Sequence, residues 1–234
     1  MIMKPITRHI PNAITSLNLL SGCIAIILAP VSLEWAFLAV VAGAVLDFFD
    51  GFAARLLKAY SPIGKDLDSL ADVVTFGAAP SVMLFYRLQG LLPDEGWQSF
   101  LPYLAFLLAI FSALRLAIFN NDEQQTQHFI GLPTPANGFF WGALVATTVT
   151  GSLEVAYLWT AIALIPVFSW LLVSNIQMFS LKATSFGWKG NEIRYLFLIS
   201  ALFLCGLLLL EGVVLTILLY IVLSAFTQKS LRRG

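Results

Sequence analysis

The chain has 234 residues, of which 59% are apolar and only 11% charged, and its 13 basic residues balance its 13 acids. Ordinary soluble domains carry about 25% charged residues, so this composition excludes a disordered chain and argues against a nucleic-acid partner, which would require a basic excess. A soluble domain of this length cannot hide so much apolar surface, which leaves an integral membrane protein: all-α, a polytopic helical bundle forming a single membrane-embedded domain.

Residues 1–12, with Lys4, Pro5, Arg8 and Pro11 among Ile and Met, read as a short interfacial segment on the cytoplasmic leaflet, ending where Asn12 caps the first span. A disordered tail is the alternative. Eight stretches then have the roughly 20 mostly apolar residues that a crossing requires: 13–30, 34–57, 66–88, 98–120, 135–152, 155–175, 193–210 and 212–228. The last two nearly touch at Glu211-Gly212, which reads as a tight helical hairpin, with one long, bent helix as the alternative. Cys23 and Cys205 fall inside apolar runs and form no disulfide framework. No cleavable signal is visible, because the first apolar stretch lacks a small-residue cleavage site.

Eight spans put both termini on one side, and the basic residues agree. Lys4, Arg8, Arg55, Lys58, Lys65, Arg115, Lys182, Lys189, Arg194, Lys229, Arg232 and Arg233 fall on that side, and Arg87 alone on the other. Lys and Arg remain on the cytoplasmic face, so both termini are expected there.

The second and third spans hold the informative residues. Asp47 and Asp50 are three apart and share a helix face; Asp68 and Asp72 are four apart and do the same on the next helix. Tyr60-Ser61-Pro62 and Gly64 make the cytoplasmic turn between them, so an antiparallel hairpin can bring the two pairs together. An ionised Asp at a helix centre costs about 2.5–3.5 kcal/mol, less near the membrane surface, and four together also repel one another. Convergent carboxylates with no His or thiolate suit hard divalent cations. Four acids can hold two such ions, magnesium or manganese, with calcium as a further option. Gly51, Ala54 and Gly64 remove bulk beside the carboxylates, which admits a ligand or a neighbouring helix. Arg55, one turn beyond Asp50, can reach a phosphate or snorkel to headgroups. Metals, an arginine and space for a ligand point to phosphoryl chemistry.

At these residues the chain resembles the CDP-alcohol phosphotransferases, whose signature is Asp-x-x-Asp-Gly-x-x-Ala-Arg, eight residues, then Gly-x-x-x-Asp-x-x-x-Asp. Asp47, Asp50, Gly51, Ala54, Arg55, Gly64, Asp68 and Asp72 fill it completely. The resemblance implies two divalent metals held by the four acids, and transfer of a phosphatidyl or similar group from a CDP-linked donor to an alcohol, with CMP leaving. It implies Asp72 as the base that takes the hydroxyl proton, and Gly51, Ala54, Arg55 and Gly64 as the positions that accommodate CDP. Further stretches, at 10–22, 76–81, 113–120, 129–138 and 171–182, look like the integral-membrane phosphatidylserine synthase branch of bacteria, so that the resemblance covers about 8–190 and leaves two extra spans, 193–228. That branch implies CDP-diacylglycerol and L-serine as substrates, and the family resemblance a homodimer among membrane lipids; the spans and the basic residues place the chain in the cell (inner) membrane as a multi-pass protein with a cytoplasmic active site. One departure is Ile118, where the branch often has a basic residue.

Serine's carboxylate needs a cationic or amide donor near the metals, and Arg115, with Asn120 beside it, is placed for that role; complementing the helix dipole is the alternative for Arg115. Thr15 and Asn18, three apart in the first span, face the bundle and either contact the nucleotide or make interhelical hydrogen bonds. Thr134 is expected to cap the fifth span, whose N-terminus would favour a phosphate, unless the flanking prolines only shape a loop. His128 reads as solvated, and Lys182 and Lys189 as headgroup contacts or orientation signals. Two other readings stay open: a synthase using glycerol 3-phosphate or inositol phosphate, and a divalent-cation transport path.

Overall fold

The computed structural model describes residues 9–121, 129–148, 151, 153–178, 187 and 191–231. Lys4, Arg8, His128, Lys182, Lys189, Arg232 and Arg233, and the side chain of Lys229, lie outside the described residues.

Helix α1 (His9–Leu28) is followed by α2 (Leu33–Leu56) and α3 (Pro62–Asp72). A π-helical turn (Val73–Ala78) joins α3 without a break to α4 (Ala79–Gln89). A 3-10 stretch (Trp97–Ala105) leads into α5 (Phe106–Asn121). Helices α6 (Thr134–Ala146), α7 (Leu153–Val173) and α8 (Glu192–Leu231) complete the bundle. Its strands, among the described residues, are β1 (Phe129–Ile130) and β2 (Gln177–Met178), an antiparallel pair that ties the loop before α6 to the loop after α7. Gly131 beside that pair has φ +77, and a Cβ there would stand 2.4 Å from the Leu172 carbonyl oxygen. Only glycine tolerates both that backbone and that approach.

Among the described residues, six helical stretches are long and apolar enough to cross a membrane. One of them, Glu192–Phe226, is folded back on itself. In a continuous helix Phe197 and Tyr220 would be about 35 Å apart, yet their ring centroids are 5.8 Å apart. Cys205 Sγ also lies 3.7 Å from Thr216 Oγ1. The reversal occurs at Leu209 (φ 48, ψ −111), and Gly212 packs where a Cβ would sit 2.1 Å from the Leu204 carbonyl oxygen. The hairpin expected at Glu211-Gly212 is therefore present, two residues earlier. Helix α6 has 13 residues, about 20 Å of helix against a hydrocarbon core of about 30 Å. The expected fifth span, 135–152, is thus a short, deeply buried helix, and the count of eight is approximate.

Two capping expectations are corrected. Asn12 does not cap the first span: α1 already begins at His9, and the Asn12 carbonyl accepts from Ser16 Oγ at 2.8 Å within the helix. The turn after α2 ends at Ser61, whose Oγ accepts from the Gly64 N–H at 3.0 Å; Pro62 and Gly64 belong to the first turn of α3, not to the loop.

Burial is distributed as a bilayer demands. Large apolar side chains face outward, among them Ile27, Val31, Trp35, Leu202 and Phe203, whereas Thr15, Asn18, Thr75, Ser81, Ser112 and Asn137 are buried. The π-turn is the hub of the bundle. Cβ atoms added at Gly22 of α1, Gly43 of α2 and Gly138 of α6 would meet Thr75 or Phe76 at 2.5–2.9 Å. Small residues let backbones meet in lipid, where no hydrophobic force drives helices together. The chain is a multi-pass, all-α membrane protein.

Candidate active site at the end of the second and third helices

The short turn 57–61 joins α2 to α3, which packs on α1, and the acid side chains of α2 and α3 converge across the gap between the two helices. Carboxylate oxygens of Asp47, Asp50 and Asp68 lie within 4.8 Å of one another. Asp72 is set deeper, at the start of the π-turn, and stands outside that trio while facing it. Asp50 Oδ2 and Asp72 Oδ1 are buried with no hydrogen-bond partner. Carboxyls so close, buried and without a donor can all stay ionised only beside a cation. The donor set is all oxygen, with small neighbours on both sides, and it fits a hard divalent ion.

The trio stands where two cavities meet. The larger, about 610 Å³, is lined by Asp47, Asp50, Asp68, Asp72, Arg115, Asn120 and Tyr220 among others. The smaller, about 280 Å³, is lined by Thr15, Asp50, Ala54, Gly64 and Asp68. Gly51, Arg55 and Lys65 line both and so stand at the junction. The residues that the resemblance implies for CDP therefore border the smaller lobe, and those expected to hold the acceptor border the larger.

The two glycines act differently. A Cβ at Gly51 meets nothing within 4 Å, so this position leaves open space between the acids and the lobes. At Gly64 a Cβ would stand 3.0 Å from both Asn12 Oδ1 and Ser61 Oγ, so this glycine lets α3 approach α1.

Thr15 is buried, donates to the Pro11 carbonyl at 3.0 Å, and also adjoins the Asp50 carboxylate. Asn18 lines neither lobe. It lies beneath the acids against Asp72 and Thr75, whose hydroxyl donates to the Asn18 carbonyl at 3.0 Å. Arg115 is 7% exposed, and one of its Nη atoms donates to Thr134 Oγ1 at 3.2 Å. Thr134 therefore does not cap α6: the helix starts one residue earlier than a cap requires, with Pro133 at the N-cap, and the Thr134 hydroxyl turns toward Arg115. Asn120 donates from its amide to Ser69 Oγ at 2.8 Å and accepts at its backbone carbonyl from Lys65 Nζ at 3.0 Å, tying α5 to α3. Ile118 is 50% exposed on the outer face and lines neither lobe, so the departure at this position leaves the cavity wall unchanged.

Among the lining residues that escape sequence reasoning are Lys65 and Tyr220. Lys65 reads from sequence as a basic residue nearer the water, yet it reaches both lobes. Tyr220 belongs to the last helix, which carries no recognisable motif, and only the hairpin brings it to the site.

Residues 8–167 match the family model described as CDP-alcohol phosphatidyltransferase. The chain is 41% identical over 132 residues to the CDP-diacylglycerol–serine O-phosphatidyltransferase of Bacillus subtilis (strain 168), covering 56% of this chain and 72% of that protein. The enzyme of the same name from Mycobacterium bovis is 34% identical over 200 residues, 79% of this chain and 68% of its own. That from Methanocaldococcus jannaschii is 35% identical over 135 residues, 58% of each chain.

Proposed function

The chain belongs to the CDP-alcohol phosphatidyltransferase family, and from that premise we propose that it transfers the phosphatidyl group of CDP-diacylglycerol to L-serine, giving phosphatidylserine and CMP. The observation that carries this reading is the carboxylate trio at the junction of two lobes, with Asp72 facing it from below. Dependence on divalent cations is general in the family. Asp47, Asp50, Asp68 and Asp72 hold two such ions, Mg2+ or Mn2+, with Ca2+ as the alternative. When bound, these ions neutralise the pyrophosphate and make its phosphorus a better electrophile.

The protein's own groups do the rest. Gly51, Ala54 and Gly64 keep the smaller lobe open for the cytidine end of the donor. Arg55 and Lys65, at the junction, pair with the pyrophosphate oxygens. Arg115, with Asn120 beside it, receives serine in the larger lobe. Asp72 takes the proton from the serine hydroxyl as its oxygen attacks the lipid-bearing phosphorus. The bond from that phosphorus to the bridging oxygen breaks, and CMP leaves with the electron pair. Thr15 adjoins Asp50 and Asn18 lies against Asp72, both from the first helix.

An acceptor carrying its own phosphate, such as glycerol 3-phosphate or inositol phosphate, would need cations beyond those the pyrophosphate uses. Arg55 and Lys65 serve the junction, which leaves Arg115 for the acceptor and favours serine. The names of the relatives agree. We further take the chain to act as one unit, its core 8–190 extended by the C-terminal hairpin, as a homodimer in the cell (inner) membrane with its site at the cytoplasmic boundary. The testing experiment is CMP release by the purified protein from CDP-diacylglycerol with a panel of alcohols. Serine-dependent release that stops with chelator and returns with Mg2+ or Mn2+ is expected. Release with glycerol 3-phosphate but not serine would defeat the acceptor assignment.

A further inference from the structure

The C-terminal hairpin lies wholly beyond residue 167, where the family match ends. Its second arm nevertheless forms part of the site, because Tyr220 lines the larger lobe with Asp72, Arg115 and Asn120. Tyr220 is 7% exposed and its ring packs on that of Phe197, 5.8 Å between centroids. Ser224, one turn on and fully buried, donates to the Tyr220 carbonyl at 2.7 Å. The Phe197 contact holds the ring, while the Ser224 bond stays within the helix backbone.

On the same lobe, Arg115 is equally buried. It has one Nη donor engaged by Thr134, while its Nε is buried and has no partner. The phenol and the guanidinium are near enough to act on each other electrostatically. A cationic fork with an unused donor, beside a hydroxyl, on the wall of a cavity whose floor is an aspartate, makes a receptor for a carboxylate. An acceptor whose hydroxyl points to Asp72 can place its carboxylate there.

We propose that Tyr220 is a specificity-determining residue: together with Arg115 it binds the carboxylate of the amino-alcohol acceptor, so that the C-terminal hairpin selects the alcohol while the family core carries the transfer chemistry. This rests on the serine reading above. Amino alcohols without a carboxylate gain nothing from the pair.

The test uses the full chain in detergent micelles and the variant Tyr220→Phe, which keeps the ring on Phe197 and removes only the hydroxyl. Initial rates of CMP release are measured against L-serine, ethanolamine and CDP-diacylglycerol. Loss of one hydrogen bond to a charged group should raise the KM for serine about tenfold. The KM for CDP-diacylglycerol and the melting temperature should stay at wild-type values, and the preference for serine over ethanolamine should fall by the same factor. Tyr220→Trp, which keeps an aromatic packing partner, should lose the same preference and guards against a folding effect in either variant. Unchanged serine KM and preference, or a rise confined to the CDP-diacylglycerol KM, would overturn the proposal alone. Wild-type protein that releases no CMP with serine would instead defeat the acceptor reading, and the carboxylate receptor with it.

Discussion

Gly43 and Gly51 stand on one helix, two turns apart, and a methyl group added to each has opposite consequences. At Gly43 it would meet Thr75 Cγ2 at 2.5 Å; at Gly51 it would enter open space. Gly51→Leu should therefore leave the melting temperature near wild type, since a helical glycine is already about 0.5–1 kcal/mol less favourable than alanine, yet raise the KM for CDP-diacylglycerol by about tenfold as the side chain fills the junction. Unaltered donor kinetics in that variant would show that the space is not used. Among the acids, Asp50→Asn should cut CMP release about a hundredfold or more by weakening cation binding, and excess Mn2+ should restore part of it. Asp72→Asn should lower kcat by roughly 100- to 10,000-fold even at saturating Mn2+; full turnover in that variant would remove Asp72 from the proton transfer. The acids were legible from sequence because an ionised side chain in an apolar run is costly and demands a reason. Lys65 and Tyr220 were not, because a lysine near a membrane surface and a tyrosine in a span are both ordinary there.

Elements whose contacts are local follow from sequence closely. The turn between α2 and α3 is one: Ser61 and Pro62 start α3 through a side-chain cap and a preset φ. Spacings of three and four then carry the acids to one face of each helix. The π-turn after Asp72 is different. Nothing in Val73–Ala78 announces it; it forms where three neighbouring helices press Gly22, Gly43 and Gly138 onto Thr75 and Phe76. That packing ties the base of the site to the rest of the bundle. Gly43→Val should destabilise the protein by about 1–3 kcal/mol through overpacking, read as a lower melting temperature in detergent, with activity lost in step with the folded fraction. A wild-type melting curve would show that α2 has room to shift. Asn12 and Thr134 carry the same lesson. Both residue types favour helix caps, but α1 starts before Asn12, and Thr134 finds a partner in Arg115 that local spacing cannot reveal.

For the whole molecule, an outward apolar surface around buried polar groups makes a membrane protein, and the distribution of basic residues carries the proposal for its sides. Arg87, the exception, lies at the opposite end of the bundle from the acids, its guanidinium 5.4 Å from the centroid of the Tyr157 ring. In a background lacking Cys23 and Cys205, Asp94→Cys should react with a membrane-impermeant maleimide in right-side-out vesicles, and Tyr60→Cys only in inverted ones. The reverse pattern would turn the active site to the outer face. Composition, the spacing of the carboxylates and the bias of Lys and Arg are properties of the chain in one dimension, so the membrane class could be read from it, and the orientation and metal chemistry proposed above start from it. The division of the site into two lobes, the depth of Asp72 and the arrival of Tyr220 beside Arg115 join residues far apart in sequence. Their distances depend on how helices pack in lipid, where close contact between small residues rather than periodicity decides which faces meet, and that is a property of the folded bundle alone.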